Sequence, residues 1–519
     1  MSRHVVICGA GSAGCTLAAR LTEDPGTSVT LLEAGPDYAT IEDLPHEIRS
    51  AWVFGVPDHD WGYTSEAVTE ASNIPSWSIV NAGEVPMPRG KVVGGSSAVN
   101  GTNALRALPV DFRRWQAMGA GDWGWDDVLP YYRKLEDDPA PGNWHGQGGP
   151  VRIRRFLDDQ QTPVTKAYIE ACEAAGHVYV HDLNGPNPVG VGPLPVNQVD
   201  GVRQSAALAY LTPEVRRRSN LEIRSDVLVD RVEFADRRAR AVVLAGGERI
   251  EADTVIVSTG SYCSPPILLR SGVGPARDLD ALGIPVVHAN DAVGKNMRDH
   301  PLSTVAFAAA PAFQDAAPPL QTLVHYASSG GHSDGELDLH LVLFTIDPTQ
   351  VFVGIALLRP YSIGRVELAS RDPEVAPSII ANFYEHPEDL GRVVDGVKRV
   401  RSLFKHEALA QFVTEEVFPG ADLIDDGAIA QAVRGAPTTE AHPIGTCSMG
   451  PAGSTWGVVD QRGKVHGLDN LYVIDASIMP TLPVVPTNMT TIMLAERCAD
   501  LLRESFGATS APTEAELVA

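Results

Sequence analysis

The chain has 519 residues, a length that exceeds one hydrophobic core and corresponds to about two to four domains' worth of mass. Its hydrophobic content of 44% and charged content of 20% are ordinary for a soluble globular protein, and it has no apolar run long enough to span a membrane. The formal charge of −24 argues against nucleic acids and anionic membranes as partners, because both repel an acidic surface.

The first predicted strand starts close to Met1, so a signal or transit peptide does not fit in front of it. The six cysteines lie without C-x-x-C spacing, which argues against a disulfide framework and a zinc site, and we expect no metal. Free thiols of this kind are typical of a reducing compartment, so we expect a cytoplasmic protein.

The opening residues predict a nucleotide-binding βαβ unit. The β-favouring residues 5–8 lead into Gly9, Gly11 and Gly14 in a G-x-G-x-x-G run, and a helical stretch and a second apolar run ending at Glu33 follow. In such a unit the first glycine turns the chain, the second lets the backbone approach a pyrophosphate, and the third lets the helix pack close to the strand. The acidic residue stands where a ribose hydroxyl is bound. The alternative is a glycine-rich turn in an ordinary βαβ unit.

The next part of the chain is mostly irregular. Residues 36–88 show no sustained period. Residues 88–115 contain a Gly-Gly-Ser-Ser run at 94–97, whose flexible backbone and hydroxyls suit contact with a polar ligand. The alternative for this run is a surface loop.

Regular structure is predicted again after this region. Helical patterns cover 123–138 and 200–215, the second of them ended by Pro213. Strands are predicted within 221–234 and 239–260, the second ending in a buried parallel strand.

Alternating apolar residues predict an antiparallel sheet beyond about residue 293. The leucines at alternate positions in 337–343 would share one face, as in a sheet with one covered side. Residues 311–335, rich in Ala, Pro, Gly and Ser, are a candidate lid, and an insertion without consequence is an equal alternative. Residues 506–519 have the composition of a solvated tail.

Two stretches near the end of the chain carry the candidate chemistry. TTEAHPIGTCSMG holds His442, and DNLYVIDASIMPTLPVVPTNMTTIMLAERCADLL holds Asp475 and Asn488. Within the second stretch, 471–475 reads as a buried strand and 490–502 as an amphipathic helix. A nucleotide-type strand and helix that return so late suit a long cofactor held between both ends of the chain, which fits FAD better than NAD.

These motifs together resemble the glucose–methanol–choline (GMC) family of flavin oxidoreductases along nearly the whole chain. The resemblance is nearest to its bacterial choline-dehydrogenase-like members, including aryl-alcohol, hydroxymethylfurfural and pyridoxine oxidases. The matching pieces, in the family's order, are GAGSAG with LLEAG, PRGKVVGGSSAVNG, DGVRQSAALAYLTP, SPPILLRSGVG, VGKNMRDHP, SIGRVELASRDP, HPIGTCSMG and DASIMPT.

The resemblance implies an α/β fold (α+β overall). A Rossmann-like FAD-binding domain would be joined to a discontinuous second domain, built on an antiparallel sheet backed by helices. The implied bounds are 1–155, 196–295 and 450–505 for the FAD-binding domain, 156–195 and 296–449 for the substrate-binding domain, and 506–519 for the tail.

The resemblance also implies the roles of individual residues. His442 would be the base that takes the hydroxyl proton of the alcohol, and Asn488 would hydrogen-bond the same oxygen. Asn100 and Gly101 would lie beside the isoalloxazine, and Val227 beside the adenine. The full implied set of cofactor-binding residues is Gly9, Gly11, Ser12, Ala13, Gly14, Glu33, Ala34, Trp61, Arg89, Gly90, Val93, Gly94, Gly95, Ser96, Asn100, Gly101, Thr102, Asn103, Val227, Thr259, Gly260, Asp475, Ala476, Asn488, Met489 and Thr490.

Two positions depart from the family pattern. Val99 stands where some relatives carry a histidine that links FAD covalently, so we expect non-covalent FAD. Ala441 stands where relatives often carry an aromatic residue, so their specificity does not transfer. We interpret His300 as a structural hydrogen-bonding residue and Cys447 as a packing residue.

The expected function is oxidation of a primary or aryl-type alcohol to the aldehyde or ketone, by hydride transfer to flavin N5 with His442 as base. Histidine suits this role because its pKa lies near neutrality, whereas an amide such as Asn488 can donate without ionising. Molecular oxygen or another acceptor would reoxidise the flavin. The alternatives are an FAD-dependent lyase or photoenzyme on the same scaffold, and an NAD-binding or non-catalytic Rossmann protein. The sequence leaves open the alcohol, the acceptor and the oligomeric state.

Overall fold

The structure is a computed structural model that describes residues 3–65, 84–313, 318–329 and 336–507. The irregular stretch 36–88, the lid segment 311–335 and the tail 506–519 lie partly outside these described residues. None of the helices within the described ranges combines the length and the apolar content that crossing a bilayer requires.

Helices cover the sheets and connect them. The predicted helix at 123–138 is confirmed as Trp125–Leu135. The α-helices are Ser12–Leu21, His46–Arg49, Pro109–Ala117, Trp125–Leu135, Pro163–Ala174, Ala206–Tyr210, Pro213–Arg216, Ser264–Arg270, Ala276–Ala281, Pro387–Leu403, Glu407–Ala410, Asp426–Gly435 and Asn488–Ser505, with 3₁₀ turns at Pro57–His59, Gly95–Ala98, Asp158–Gln160 and Ala476–Ile478.

A parallel sheet of five strands confirms the predicted βαβ unit, and the half of the molecule built on it is called the nucleotide-binding half after that prediction. Its strands lie in the order Leu221–Arg224, Thr27–Leu32, Arg3–Cys8, Thr254–Val257 and Leu471–Val473. Because all five run in the same direction, their carboxyl ends meet at one edge, where ligands of open α/β sheets bind.

The glycine turn after the first strand requires its small residues. Gly9 has a φ of +97°, and a β-carbon on it would lie 2.6 Å from the carbonyl oxygen of Ser258. A β-carbon on Gly14 would lie 1.9 Å from the carbonyl oxygen of Gly9. The predicted sharp turn and close helix–strand packing are therefore present.

The first helix, Ser12–Leu21, packs against the last helix, Asn488–Ser505. Arg20 Nη2 lies 2.8 Å from Glu496 Oε1, and the hydroxyl of Tyr210 donates to the same carboxylate at 2.8 Å. Glu496 is fully buried, so this ion pair joins the two ends of the chain within one core.

A second, antiparallel sheet carries the other half. Its strands lie in the order Val413–Phe418, Pro301–Ala309, Gln350–Leu357, Leu339–Asp347, Thr322–Tyr326 and Gly190–Pro193, with Thr438–Thr439 paired to Pro301–Ala309. Helices Pro163–Ala174, Pro387–Leu403 and Asp426–Gly435 share its hydrophobic core.

The expectation of one covered face is wrong for the strand Leu339–Asp347. Leu339, Leu341 and Leu343 face the helices as predicted, but His340 and Val342 on the opposite face are also buried. The reason is that this face lies against the core of the nucleotide-binding half.

The lid interpretation is wrong for the middle of residues 311–335. Thr322–Tyr326 form a fully buried strand between Leu339–Asp347 and Gly190–Pro193. Residues 314–317 and 330–335 of this segment lie outside the described residues.

The single helix predicted over 200–215 is also wrong. The structure has two short helices there, Ala206–Tyr210 and Pro213–Arg216, and Pro213 begins the second one instead of ending the first. Proline suits the first turn of a helix because its missing N–H would have no partner there.

Smaller sheets complete the fold. They are the antiparallel set Val229–Ala235, Arg238–Leu244 and Arg249–Glu251; the set Arg365–Glu367, Ser378–Ile380, Thr64–Ser65 and Val85–Pro86; and the pairs Val273–Gly274 with His288–Ala289, Glu136–Asp137 with Val151–Arg152, and Gln198–Val199 with Val202–Arg203.

Candidate active site

A cavity of about 790 Å³ lies at the carboxyl edge of the parallel sheet. Residues 440–443, which follow the strand Thr438–Thr439 of the large antiparallel sheet, line it from the other half. This volume is within the usual range for small-molecule and cofactor sites.

Most of the residues predicted from sequence line this cavity. They are Gly9, Gly11, Ser12, Ala13, Glu33, Ala34, Trp61, Arg89, Gly90, Gly95, Ser96, Asn100, Gly101, Asn103, Val227, Thr259, Gly260, His442, Asp475, Ala476 and Asn488. The predicted residues outside the lining are Gly14, Val93, Gly94, Thr102, Met489 and Thr490. All six are buried. The hydroxyl of Thr490, for example, bonds Tyr132 at 2.8 Å in the core.

Asp299 fixes the backbone at both His300 and His442. Its Oδ1 accepts from the backbone N–H of His300 at 2.8 Å and of His442 at 2.7 Å. Its Oδ2 accepts from the hydroxyls of Thr439 at 2.7 Å and Tyr262 at 3.4 Å. One buried carboxylate therefore joins two segments that are distant in sequence.

A strained turn presents His442 to the cavity. Ala441 has a φ of +63°, a left-handed conformation that is costly for a residue with a β-carbon. Its N–H donates to Thr439 Oγ1 at 2.7 Å, and its carbonyl accepts from Arg89 Nη2. The Arg89 guanidinium also lies over the ring of Tyr262, 5.3 Å from the centroid.

The imidazole of His442 contacts a second imidazole and a carboxylate. Its Nδ1 lies 3.0 Å from His300 Nδ1 and 3.4 Å from Glu440 Oε2. His300 Nε2 lies 3.0 Å from the carbonyl oxygen of Pro483, and His300 Nδ1 lies 3.6 Å from Glu440 Oε2.

Burial sets the charges of this cluster. Removal from water lowers the pKa of His442 to about 4; the Asp299 carboxylate opposes this shift and the Arg89 guanidinium adds to it. Burial likewise lowers the pKa of His300 to about 3 and raises the pKa of Glu440 to about 7. Both imidazoles are therefore neutral near pH 7.

Asn488 is attached to the glycine turn. Its Oδ1 accepts from the hydroxyl of Ser12 at 2.8 Å, and its buried Nδ2 has no hydrogen-bond partner among the residues described. No hydrogen bond joins Asn488 to His442 in the part of the chain that the structure describes. Asn488 therefore lies beside the glycine turn with a donor that no described residue occupies, and both of its predicted roles, at the cofactor and at the alcohol oxygen, stay predictions.

Glu33 and Asp475 stabilise the turns at the sheet edge. Glu33 accepts from the backbone N–H groups of Ala10 and Gly35, each at 3.0 Å, and Asp475 Oδ2 accepts from the N–H of Gly260 at 2.8 Å. Burial raises the pKa of both carboxyls, to about 7 for Glu33. The predicted contact of Glu33 with a ribose hydroxyl stays a prediction.

Sequence reasoning missed several residues of the site. Asp299 and Glu440 were not singled out, and His300 was interpreted as structural. The motif RDHP and the position two residues before His442 were the available signals. Further lining residues that were missed are Tyr63, Lys91, Ser261, Tyr262, Arg270, Pro486, Thr487 and Thr491. Cys447 is fully buried, as expected of a packing residue.

Comparison with known proteins identifies what this arrangement is similar to. The two models of the GMC oxidoreductase family, for its N- and C-terminal parts, match residues 4–302 and 360–495. The oxygen-dependent choline dehydrogenase of Burkholderia mallei is 35% identical over 539 aligned positions, which cover 96% of this chain and 93% of that protein.

Solved structures agree with this result. Pyridoxine 4-oxidase from Mesorbium loti superposes with a TM-score of 0.87 at 29% identity, covering 97% of this chain and 99% of that one. A formate oxidase variant of Aspergillus oryzae, studied for modification of its FAD, gives 0.86 at 25% identity, covering 97% and 99%. The resemblance inferred from the motifs, the Rossmann-type fold with a second antiparallel domain, and the oxidoreductase class are confirmed. These relatives are named as oxidases or dehydrogenases, so the lyase alternative is not favoured.

Proposed function

Because the chain belongs to the GMC oxidoreductase family, we propose that it oxidises the CH–OH group of a small primary alcohol with His442 as the base. The observation that carries the proposal is the position of His442. Its imidazole lines the cavity that the glycine turn also lines, and its Nδ1 is already occupied by His300. The other ring nitrogen is then the one that can act on a ligand.

GMC flavoproteins bind FAD, and the described residues fit this cofactor. The first helix begins after Gly11, which offers no side-chain cap, so its first N–H groups can bind a phosphate. Gly95 lies so close to this turn that a β-carbon on it would be 2.7 Å from the Cα of Gly11, so backbone alone forms that wall. The Nδ2 of Asn488, which none of the described residues pairs with, is a buried donor of the kind that a polar ligand satisfies.

The residues of this chain would share the work as follows. FAD, when bound, supplies a two-electron acceptor for the hydride of the alcohol carbon. The glycine turn and Asn488 hold the cofactor, and Val99, whose isopropyl group lines the cavity, leaves it non-covalently bound. His442 takes the hydroxyl proton, which it can do at neutral pH because its pKa is low enough to keep it uncharged.

The lining favours an aryl-type alcohol. Trp61 and Tyr63 stack at 5.6 Å between ring centroids, and Tyr63 meets Tyr262 edge-on at 6.2 Å. The Tyr262 hydroxyl reaches Asp299, so this aromatic wall extends to the residues that hold His442. Flat apolar surfaces of this kind pack against aromatic substrates. Oxygen or another acceptor then takes the electrons.

The test is a panel of primary alcohols mixed anaerobically with the purified flavoprotein, with bleaching of the flavin absorbance as the readout. His442→Ala should slow bleaching by about 10²- to 10⁴-fold, the usual contribution of a general base. His466→Ala is the matched control, because it also removes a hydrogen-bonded imidazole but lies outside the cavity lining. Bleaching of the His442 variant at the wild-type rate would refute the assignment.

A further inference from the structure

The hydrogen bonds of His300 determine which ring nitrogen of neutral His442 carries the proton. A carbonyl oxygen only accepts, so the contact between His300 Nε2 and Pro483 requires a proton on that nitrogen. A neutral imidazole carries one N–H, so Nδ1 of a neutral His300 is an acceptor. The 3.0 Å contact between the two Nδ1 atoms then requires His442 to donate. Neutral His442 is thus the Nδ1–H tautomer, and its lone pair is on Nε2.

The position of Glu440 fits the charged form of the same imidazole. Its Oε2 is buried and has no hydrogen-bond partner among the residues described, although it lies within 3.6 Å of both Nδ1 atoms. A buried, unpartnered carboxylate oxygen is costly beside neutral rings and is stabilised beside an imidazolium. That cation is the product of proton transfer to His442.

Other charged groups face the same cluster. Arg89 and Asp299 act on the pKa of His442 with opposite sign. The pKa of His340, in the strand Leu339–Asp347, is lowered first by burial and then by nearby imidazoles that include those of His300 and His442. The effects of Arg89 and Asp299 partly cancel, whereas Glu440 places a carboxyl oxygen 3.4 Å from His442 Nδ1.

We propose that His300 and Glu440 are positioning residues for His442, an inference that rests on the proposed function. His300 fixes the Nδ1–H tautomer, so that Nε2 faces the reaction. When the alcohol O–H bond breaks, its proton forms the new Nε2–H bond, the electron pair stays on the alcohol oxygen, and Nδ1 keeps its proton. Glu440 balances the positive charge that this transfer places on the imidazole.

The His300 part is tested with paired substitutions in the FAD-loaded protein. His300→Leu removes the acceptor and should lower the limiting rate of flavin reduction by about 10- to 10³-fold with little change in alcohol affinity. His300→Asn restores an oxygen acceptor and should recover most of this loss. His325→Gln, at another fully buried histidine, should keep the wild-type rate. Equal losses in His300→Leu and His300→Asn, or none in His300→Leu, would overturn the proposal.

The Glu440 part is tested by pH dependence. Glu440→Gln keeps the shape of the side chain and removes its charge, so protonation of His442 becomes harder. Glu440 is ionised above the pKa of about 7 that burial gives it, so the limiting rate above pH 7 should be lower in the variant. In the wild type the rate should decline as Glu440 is protonated near pH 7, and this decline should be absent from Glu440→Gln. Because the cluster titrates together, this pKa belongs to the cluster as a whole. An unchanged profile would remove Glu440 from the proposal.

Two readouts are independent of turnover. The first is NMR of the protein with ¹⁵N-labelled histidine, in which the His442 signal is assigned by its loss in His442→Ala. The ring of His442 should be protonated at Nδ1 in the wild type and at Nε2 in His300→Leu. Protonation at Nε2 in the wild type would refute the proposed tautomer. The side chains of His300, Glu440 and His442 lie close enough together to bind a metal ion. Metal analysis of the purified protein should find no stoichiometric ion, and a bound ion would overturn the positioning roles, because these residues would then be its ligands. If no alcohol bleaches the flavin, the proposed function fails, whereas the NMR result still decides the tautomer.

Discussion

Replacing Asp299 with alanine should loosen the turn that carries His442. The substitution leaves the backbone N–H groups of His300 and His442 without their acceptor, together with the hydroxyls of Thr439 and Tyr262. At about 1–3 kcal/mol for each buried N–H left unpaired, the two amides alone cost about 2–6 kcal/mol. Release of a carboxylate whose pKa is raised by burial offsets part of this cost.

Thermal unfolding of the loaded protein measures this loss. With an unfolding entropy of roughly 2 cal/mol/K per residue, the melting temperature of a chain of this length falls by about 1 °C for each kcal/mol, so the expected drop is about 2–6 °C. Asp299→Asn is the matched control, because its amide oxygen can still accept both N–H groups. It should melt close to the wild type. An Asp299→Ala variant with wild-type melting temperature and wild-type flavin reduction would refute the reasoning.

The low pKa of His442 and the packing at Asn488 and Gly14 give three more predictions. The second-order rate of flavin reduction by alcohol should change only modestly near pH 7, where Glu440 titrates, and should be lost only towards a pH of about 4, because protonation of His442 removes the base; complete loss centred near 6.5 would contradict this. Asn488→Ala should lower the FAD content after gel filtration more than it slows the loaded fraction; the reverse would place Asn488 at the alcohol oxygen. Gly14→Ala should abolish FAD binding, because its β-carbon would meet the carbonyl of Gly9, whereas Gly246→Ala, where space is open, should bind FAD normally.

The sequence predicted the features that depend only on residues close together in the chain. The spacing of the glycines requires a tight turn and close packing wherever the fold places them, and the structure confirms both at Gly9 and Gly14. The buried strand at Leu471–Val473 was likewise predicted from its apolar run, and the structure places it at the edge of the first sheet. Domain boundaries, non-covalent FAD and the contact of Glu33 with ribose stay predictions.

The parts that failed depend on contacts between distant residues. His300 is one of fifteen histidines, and nothing near it in sequence shows that it meets His442, 142 positions away. The lid interpretation relied on the composition of 311–335, whereas burial of Thr322–Tyr326 is decided by strands from elsewhere in the chain. Pro213 was assigned to the end of a helix because proline marks a boundary without showing on which side the helix lies.

The packing of the first helix against the last helix has a consequence for folding during translation. Until the last part of the chain is made, the strand Thr254–Val257 and the helix Ser12–Leu21 lack the neighbours that Leu471–Val473 and Asn488–Ser505 later provide. A nascent chain therefore exposes an apolar helix face, and later an open sheet edge, until its last strand and helix are made, a state that chaperones bind. Chains stalled before Leu471 should fail to retain FAD, and stalled chains that retain it would show that the nucleotide half folds without its last strand.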